Sequence, residues 1–301
     1  MKNKCVDCHN ANALPACLLK YYGKPFISTA LILSAALAFA QPVTIQGSWD
    51  RRSDGQVKLY RVEHSRLEEI SAYTLAKDDK FGFYFEPPYE GIYVIGSGNP
   101  GSVTDKYKFY LKGGDRLSVK VNDSSYTLTG VNSKENRELA RWHDILSPAE
   151  NKALRLGGQS TYVDFFPDLE ALAAKAAEYK AADTGNTLFD AGFDELRRFD
   201  LYTLAVHYIF TPRSAQPRPD QYTEFYRNMH VKTIAASGQL LQYPFGVRML
   251  DNMSWIKNRL DGGTGRFELE QKLAIYGNDT LKGEAVLQQA AFLKTYIGLQ
   301  D

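Results

Sequence analysis

Near the start of the chain, Cys5, Cys8 and His9 form the pattern C-x-x-C-H. This pattern attaches a c-type haem, with two thioether-forming cysteines and an axial histidine. The segment that follows it argues against haem. Two lysines within residues 20–24 precede an uncharged, mostly apolar run over 26–40 that ends in Ala-Phe-Ala. A basic flank, a short apolar core and a small-x-small site predict a signal peptide over 1–40.

A haem motif placed before an export signal stays on the cytoplasmic side and leaves with the cleaved leader, whereas haem is attached outside the cytoplasm. We therefore predict no cofactor and keep a haem-bearing electron carrier only as a third alternative, for a start codon assigned too early. Cys17 also precedes the apolar run, so the chain from Gln41 onward contains no cysteine. That mature chain has no disulfide, no thiolate nucleophile and no thiolate metal site.

Other candidate motifs indicate structure rather than catalysis. The glycine-rich stretches at 96–101 and 262–265 lack the lysine of a phosphate-binding loop, so we expect turns. No serine occupies a G-x-S-x-G elbow, and adjacent carboxylates on a strand point to opposite faces. The histidines after the leader are His64, His143, His207 and His230, and no two of them have the spacing of metal ligands. We therefore predict no catalytic, cofactor-binding or metal-ligating residue.

Charge and hydropathy limit the classes of partner and the cellular compartment that we expect for this protein. The full chain has a formal net charge of +1, and the leader carries four lysines and one aspartate, so the remainder is close to neutral. Nucleic-acid binding requires clustered excess base, so no nucleic-acid partner is predicted. After the leader, no apolar run is long enough to span a bilayer. We expect a soluble protein of the bacterial periplasm or cell envelope, without a stable membrane span after signal cleavage.

The elements after the leader change in period at residue 130. Over 41–130, apolar residues alternate with polar ones in short runs separated by turn signals, which predicts an antiparallel β-sandwich or barrel. A hairpin is expected between 107–111 and 117–121, across the turn at Gly113, Gly114 and Asp115. Residues 63–76 are interpreted as strand continuing into strand.

Residues 131–301 show helical period instead. Asn132 and Glu135 resemble a capping box, and Ser147 with Pro148 resembles a second helix start. Further helices are predicted at 169–182, 193–209, 221–230, 233–241, 245–260, 267–275 and 283–299. The fold class is therefore α+β, with a signal peptide (1–40), an antiparallel β domain (41–130) and an all-α helical domain (131–301).

Several segments together resemble a known arrangement. They are 114–117, 128–132 and 135–137 at the end of the β region, and 161–167, 210–213, 225–226, 244–246 and 278–284 in the helical region. They are similar to the N-terminal region of multidomain thioredoxin-like envelope proteins, the TlpA-like thiol-disulfide oxidoreductases. In that family, a small β domain and a helical domain precede a thioredoxin fold that carries the redox C-x-x-C.

The resemblance implies an accessory role, because no residue here matches the redox cysteines of the family. The thioredoxin domain would follow the last helix, but the sequence ends at Asp301. Either the protein is a stand-alone relative that lost its catalytic half, or the reading frame is truncated. We expect a non-catalytic envelope module that positions a domain, dimerises or binds a client or envelope partner. The alternative is an independent periplasmic binding or scaffold protein whose sandwich holds a peptide or glycan.

The last predicted helix, 283–299, offers one candidate contact surface. An apolar stripe comprises Val286, Leu287, Ala290, Leu293 and Ile297, and Phe292 and Tyr296 widen it onto a neighbouring face. In one interpretation this helix simply covers the core of the α domain. In the other, Phe292 and Tyr296 form a contact for a partner or a second copy. Burial of one such aromatic side chain contributes about 1.5–3 kcal/mol.

Overall fold

The computed structural model describes residues 41–50, 55–75, 78–122, 124–154, 160–263 and 268–297, without the side chains of 292 and 295–297. The expected signal peptide, with Cys5, Cys8 and His9, lies outside these residues, so its cleavage stays a prediction. The described part confirms the α+β fold class, because eight strands are followed by eight α-helices.

The strands form two four-stranded sheets, with the orders β4-β1-β7-β8 and β3-β2-β5-β6. Ile45 and Val119 from the first sheet pack against Leu59 and Phe109 from the second in one core, as the period of two predicted. In chain order the strands are β1 (Val43–Trp49), β2 (Gln56–Glu63), β3 (Arg66–Thr74), β4 (Lys80–Phe85), β5 (Gly91–Gly96), β6 (Lys106–Leu111), β7 (Arg116–Val121) and β8 (Tyr126–Leu128).

The predicted hairpin across residues 113–115 is wrong, because β6 and β7 belong to different sheets. Instead, the backbone of residues 41–44, at the start of the described chain, forms hydrogen bonds with this turn. The N–H of Gly114 donates to the carbonyl of Gln41 at 3.1 Å, and the N–H of Thr44 donates to the carbonyl of Asp115 at 3.0 Å. Strand β7 then pairs with β1 in parallel, with Thr44 opposite Arg116, so the first sheet is mixed. Gly114 has a φ of +84°, which favours glycine at this turn.

Residues 63–76 contain a tight turn that the interpretation as continuous strand missed. His64 and Ser65 have φ values of 47° and 68°, the left-handed conformation that a two-residue hairpin turn requires. Ser65 is buried and docks the tip of this β2–β3 hairpin onto the helical region. Its N–H donates to the carbonyl of Leu241 at 2.6 Å, and its carbonyl accepts the N–H of Phe245 at 2.8 Å.

The helical region packs against the outer face of the second sheet, with Tyr110 of β6 in its core. Its helices are α1 (Lys134–Leu154), α2 (Tyr162–Glu178), α3 (Thr187–Phe210), α4 (Glu224–Arg227), α5 (Val231–Ala235), α6 (Gly246–Leu260), α7 (Leu269–Ile275) and α8 (Asp279–Ile297). The helices predicted at 221–230 and 233–241 are thus much shorter than expected. The predicted domain boundary at 130 falls between β8 and α1 and stays a prediction.

Two predictions about the first helix are wrong. The helix is capped by Ser133, whose Oγ accepts the N–H of Asn136 at 3.2 Å, and not by Asn132. Pro148 does not begin a second helix but lies inside α1. Leu146 and Ala149 on either side of it are both buried. Burial of this face keeps the helix continuous, although proline removes one backbone hydrogen bond.

Candidate ligand-binding cleft

A cleft of about 350 Å³ lies between the outer face of the second sheet and helix α3. This volume is near the lower end of the range for small-molecule sites, about 300–1,000 Å³. Strands β2 and β5 contribute one wall, and one face of α3 contributes the other. Its apolar lining comprises Val62, Ile92, Phe189, Phe193, Leu196 and Phe199.

The first turns of α3 position the helical wall. Asn186 precedes the helix, and its Oδ1 accepts the N–H groups of Leu188 and Phe189, both at 3.2 Å. Such a cap satisfies two donors that a helix start leaves free. Phe189, Phe193 and Leu196 then follow at i, i+4 and i+7 on one face. Leu188 is 61% exposed, and because it also lines the cleft, it marks the opening.

Polar groups surround the opening of this apolar cleft. Glu90 is exposed, and its Oε1 accepts hydrogen bonds from the Tyr110 hydroxyl at 2.9 Å and from Asn186 Nδ2 at 2.7 Å. Burial and the neighbouring Glu90 raise the pKa of Tyr110, so its hydroxyl stays a donor. Gln239 and Gln242 add amide groups. An apolar interior with a few hydrogen-bonding groups at its edge is typical of a ligand site.

Tyr89 fixes the wall that the sheet contributes. Its ring stacks on Tyr93, with centroids 4.8 Å apart. Its hydroxyl accepts the N–H of Val62 at 2.8 Å and donates to the carbonyl of Ile92 at 2.9 Å. Burial raises the pKa of Tyr89 to about 12, so the hydroxyl keeps its proton at neutral pH. The ends of β2 and β5 are thereby held together at the cleft.

A buried carboxylate, Asp200 of α3, holds the elements around the cleft. It accepts hydrogen bonds from Trp142 Nε1 at 2.9 Å and from the Tyr243 hydroxyl at 2.6 Å, and it forms an ion pair with Lys108. These partners come from α1, from the segment before α6 and from β6. Tyr243 also lines the cleft. Because every polar group of this network has a partner, its arrangement fits a structural joint between sheet and helices.

Two asparagines form a second joint between sheet and helices. Asn136 Oδ1 accepts the N–H of Tyr110 at 2.9 Å, and its Nδ2 donates to the carbonyl of the same residue at 2.8 Å. Asn132 pairs with the backbone of Ser118 in the same way, at 2.9 and 3.2 Å. Each side-chain amide thus replaces a neighbouring strand. This pairing satisfies backbone groups at the edge of β6 and along β7.

The histidines lie in separate environments. His143 stacks on Tyr126 with centroids 4.5 Å apart, and its Nε2 is 3.0 Å from Ser125 Oγ. Burial, reinforced by the Lys108 ammonium, lowers the pKa of His143 to about 4. Burial also lowers the pKa of His207 to about 4. Within the described residues, no group of three or more His, Cys, Asp or Glu side chains is arranged to hold a metal ion.

The predicted contact residues Phe292 and Tyr296 belong to α8, but their side chains lie outside the described residues. Three of the five residues of the apolar stripe assigned to this helix are exposed: Val286, Leu287 and Ala290. Val286 and Leu287 are 44% and 59% exposed, whereas Leu281 and Ala285 are buried. Apolar residues occur on several sides of α8, so their spacing alone did not identify the face that packs. Among the described helices, none is long and apolar enough to cross a bilayer.

The cleft was not predicted from the sequence, because helical spacing indicated a helix that begins at residue 193, whereas α3 begins at Thr187. The available signal was Asn186, a preferred capping residue, followed by Phe189 four positions before Phe193. The residues from β2, β5 and the 239–243 segment come together only in the folded chain.

Comparisons of this chain with models of protein families, with curated proteins and with solved structures gave no match. The resemblance to thioredoxin-like envelope proteins therefore stays a prediction.

Proposed function

We propose that this chain is a non-catalytic module of the bacterial cell envelope that binds a client or partner by holding one of its apolar side chains. The observation that carries the proposal is the cleft between the second sheet and α3, which is apolar inside and polar at its opening. The predicted export signal supports the compartment. The predicted resemblance supports an accessory role beside a redox protein of the envelope.

The volume of the cleft defines the occupant. At about 350 Å³, it holds one large side chain or a small apolar molecule rather than an extended polymer. Leu188, which is exposed at the opening, offers further apolar surface to the residues that flank such a side chain.

The interior of the sandwich is a poor place for the ligand of the alternative hypothesis. Trp49 and Phe109 are fully buried there, and Trp49 packs edge-on against Tyr107 with ring centroids 5.8 Å apart. A peptide or glycan would have to displace these side chains, whereas the cleft lies on the outer face of the second sheet. Client binding in the cleft is therefore the better-supported function.

Site-specific photo-crosslinking tests this proposal in cells that export the chain. A benzophenone amino acid replaces Leu188 at the opening, or Val163 of α2 as the control. The two positions are similarly exposed, at 61% and 64%, and both carry aliphatic side chains. We expect discrete cross-linked products from position 188 only.

The variant Gly192→Phe makes the test specific for the cleft. Gly192 lines the cleft, and the atoms nearest to a Cβ placed there belong to the flexible end of Gln239, the nearest at 3.1 Å. The phenylalanine should therefore fill the cleft without unfolding the chain, and the products should disappear. Products that persist in this variant, or that form equally from position 163, would contradict the proposal.

A further inference from the structure

A second pocket, separate from the cleft, lies beside the tip of the β2–β3 hairpin and has a volume of about 300 Å³. The hairpin contributes one side and the beginning of α6 contributes the other. Three basic side chains line this pocket together with apolar ones. The lining includes His64, Arg66, Leu67, Pro100, Phe245 and Arg248.

One of these basic groups is already neutralised. Glu284 of α8 is buried, and its carboxylate accepts a hydrogen bond from Arg66 Nη2 at 2.6 Å. The other oxygen of Glu284 lies 2.8 Å from His64 Nδ1. This carboxylate therefore balances the charge of Arg66 and orients the imidazole of His64.

Arg248 is not balanced in this way. Its Nη1 donates to the carbonyl of Gly101 at 2.8 Å. Within the part of the chain that the structure describes, Nε and Nη2 are buried and have no hydrogen-bond partner. Burial lowers the pKa of Arg248, which reflects an environment that penalises its charge. A buried cation with unpaired donors is unfavourable until an anion supplies acceptors.

The unpaired donors have the geometry of a specific recognition group. Nε and Nη2 lie on the same edge of the planar guanidinium, and this edge forms two parallel hydrogen bonds with the two oxygens of a carboxylate. The ring of Phe245 holds the guanidinium in place, with the carbon Cζ 4.4 Å from the ring centroid. This stacking restricts the side chain before any ligand arrives.

The backbone around this pocket is held in an unusual conformation. Phe245 has a φ of 63°, in the left-handed region, although it is not glycine, whereas the positive φ values of His64 and Ser65 belong to the hairpin turn. Ser65 supports this arrangement, because its Oγ accepts the N–H of Val247 at 2.8 Å. Strain of this kind persists only where the surrounding contacts enforce it, and it occurs preferentially at binding sites.

We propose that this pocket binds the carboxylate group of an organic ligand through the Nε–Nη2 edge of Arg248. Among the residues that the structure describes, no carboxylate forms an ion pair with Arg248, and a single positive charge matches a monoanion better than a dianion such as phosphate. Leu67 and Pro100 offer apolar surface to the carbon part of the ligand. The carboxylate belongs either to a chain terminus or to an acidic side chain of a peptide.

Calorimetric titration of the purified exported chain tests this proposal with two small probes. N-acetylglutamine presents a main-chain carboxylate, and the α-amide of N-acetylglutamic acid presents a side-chain carboxylate. We expect saturable binding with one site for at least one probe, and the tighter probe identifies the source of the carboxylate. Absence of saturable binding for both probes up to 20 mM, or tighter binding of inorganic phosphate, would overturn the proposal.

Variants of Arg248 assign the binding to the pocket. Arg248→Gln should weaken binding at least tenfold, and Arg248→Lys, which keeps the charge but loses the fork, should weaken it severalfold. The control is Arg259→Gln, because Arg259 lies on the same helix and also stacks on an aromatic ring, that of Trp255, at 5.4 Å. Equal affinity of the Arg248→Gln and Arg259→Gln proteins would overturn the assignment.

A measurement on the unsubstituted chain tests the same assignment without depending on whether a variant folds. In a chain labelled with ¹⁵N-arginine, the Nε–H resonance of Arg248 should shift with the same saturation curve as the calorimetric titration. Binding that leaves this resonance unchanged would place the ligand elsewhere and contradict the proposal.

Discussion

Replacement of Asp200 by leucine should destabilise the protein strongly, because this carboxylate joins the sheet to the helices. Its side chain is 1% exposed, and that of its partner Lys108 is 23% exposed. Loss of one member of a buried ion pair costs about 3–5 kcal/mol, since the other charge remains without compensation. The N–H of Trp142 and the hydroxyl of Tyr243 also lose their acceptor.

Urea unfolding, followed by tryptophan fluorescence and far-UV circular dichroism, measures this change. For a chain of this size, the expected loss of about 3–5 kcal/mol corresponds to a decrease of roughly 6–20 °C in melting temperature. The matched control is Asp261→Leu, which removes an ion pair with Lys257 at an aspartate that is 59% exposed. Exposed pairs contribute little, so we expect a change below about 1 kcal/mol.

The double variant Asp200→Leu/Lys108→Met separates the charge from the shape of the site. Removal of both partners leaves no buried charge, so the double variant should be more stable than Asp200→Leu alone. The reasoning would be refuted if Asp200→Leu lost less than about 1 kcal/mol. It would also be refuted if Lys108→Met recovered none of the loss.

Four further predictions concern other parts of the chain. Folded His143 has a pKa of about 4, so it stays neutral between about pH 6.5 and 4, where an unfolded histidine binds a proton. The free energy of unfolding should therefore fall as the pH decreases through this range. In urea titrations, His143→Gln should reduce the dependence of that free energy on pH by up to about 1.4 kcal/mol per pH unit. Asn136→Ala leaves the N–H and the carbonyl of Tyr110 without their partners, so the free energy of unfolding in urea should decrease by at least about 2 kcal/mol. N-terminal sequencing of exported protein should begin at Gln41, and retention of the leader would contradict the predicted cleavage. Phe292→Glu should abolish dimerisation or partner binding, measured by light scattering, without lowering the melting temperature. An unsubstituted protein that is strictly monomeric at high concentration, together with a loss of several degrees in the variant, would place Phe292 in the core and contradict this prediction.

Local pattern was sufficient for the fold class and for most elements. The alternation of Val43 and Ile45 with polar residues predicted a strand with one buried face, and helical spacing around Leu139 and Trp142 predicted the first helix. Both signals depend only on neighbours in sequence and on one apolar partner surface. The elements that these two signals predict therefore form in the folded chain as expected.

Partners distant in sequence explain the failures. Turn chemistry at Gly113 and Gly114 was consistent with a hairpin, but the backbone of Gln41 enters that turn and β7 pairs with β1. Pro148 resembled a helix start, yet burial of its neighbours in α1 outweighs the lost hydrogen bond. Contacts of this kind are properties of the folded chain and leave no local signal.

The candidate sites were hidden for the same reason. The cleft combines Val62 from a strand with Phe193 from a helix, and the basic pocket combines Arg66 with Arg248. Each of these residues is ordinary within its own segment. A sequence search for motifs finds chemistry that is contiguous, whereas both sites are assembled from segments more than a hundred residues apart.

A titration of the purified chain with blocked peptides that differ only at one central residue tests whether the cleft holds an apolar side chain. If the cleft holds an apolar side chain, a central leucine or phenylalanine should bind about 10–100 times more tightly than alanine, from about 1.5–3 kcal/mol of buried apolar surface. This preference should vanish in Gly192→Phe and persist in Gly283→Phe, a control at a helical glycine with open space around it. Equal affinity for all central residues, or a preference that survives in Gly192→Phe, would contradict a client-binding cleft.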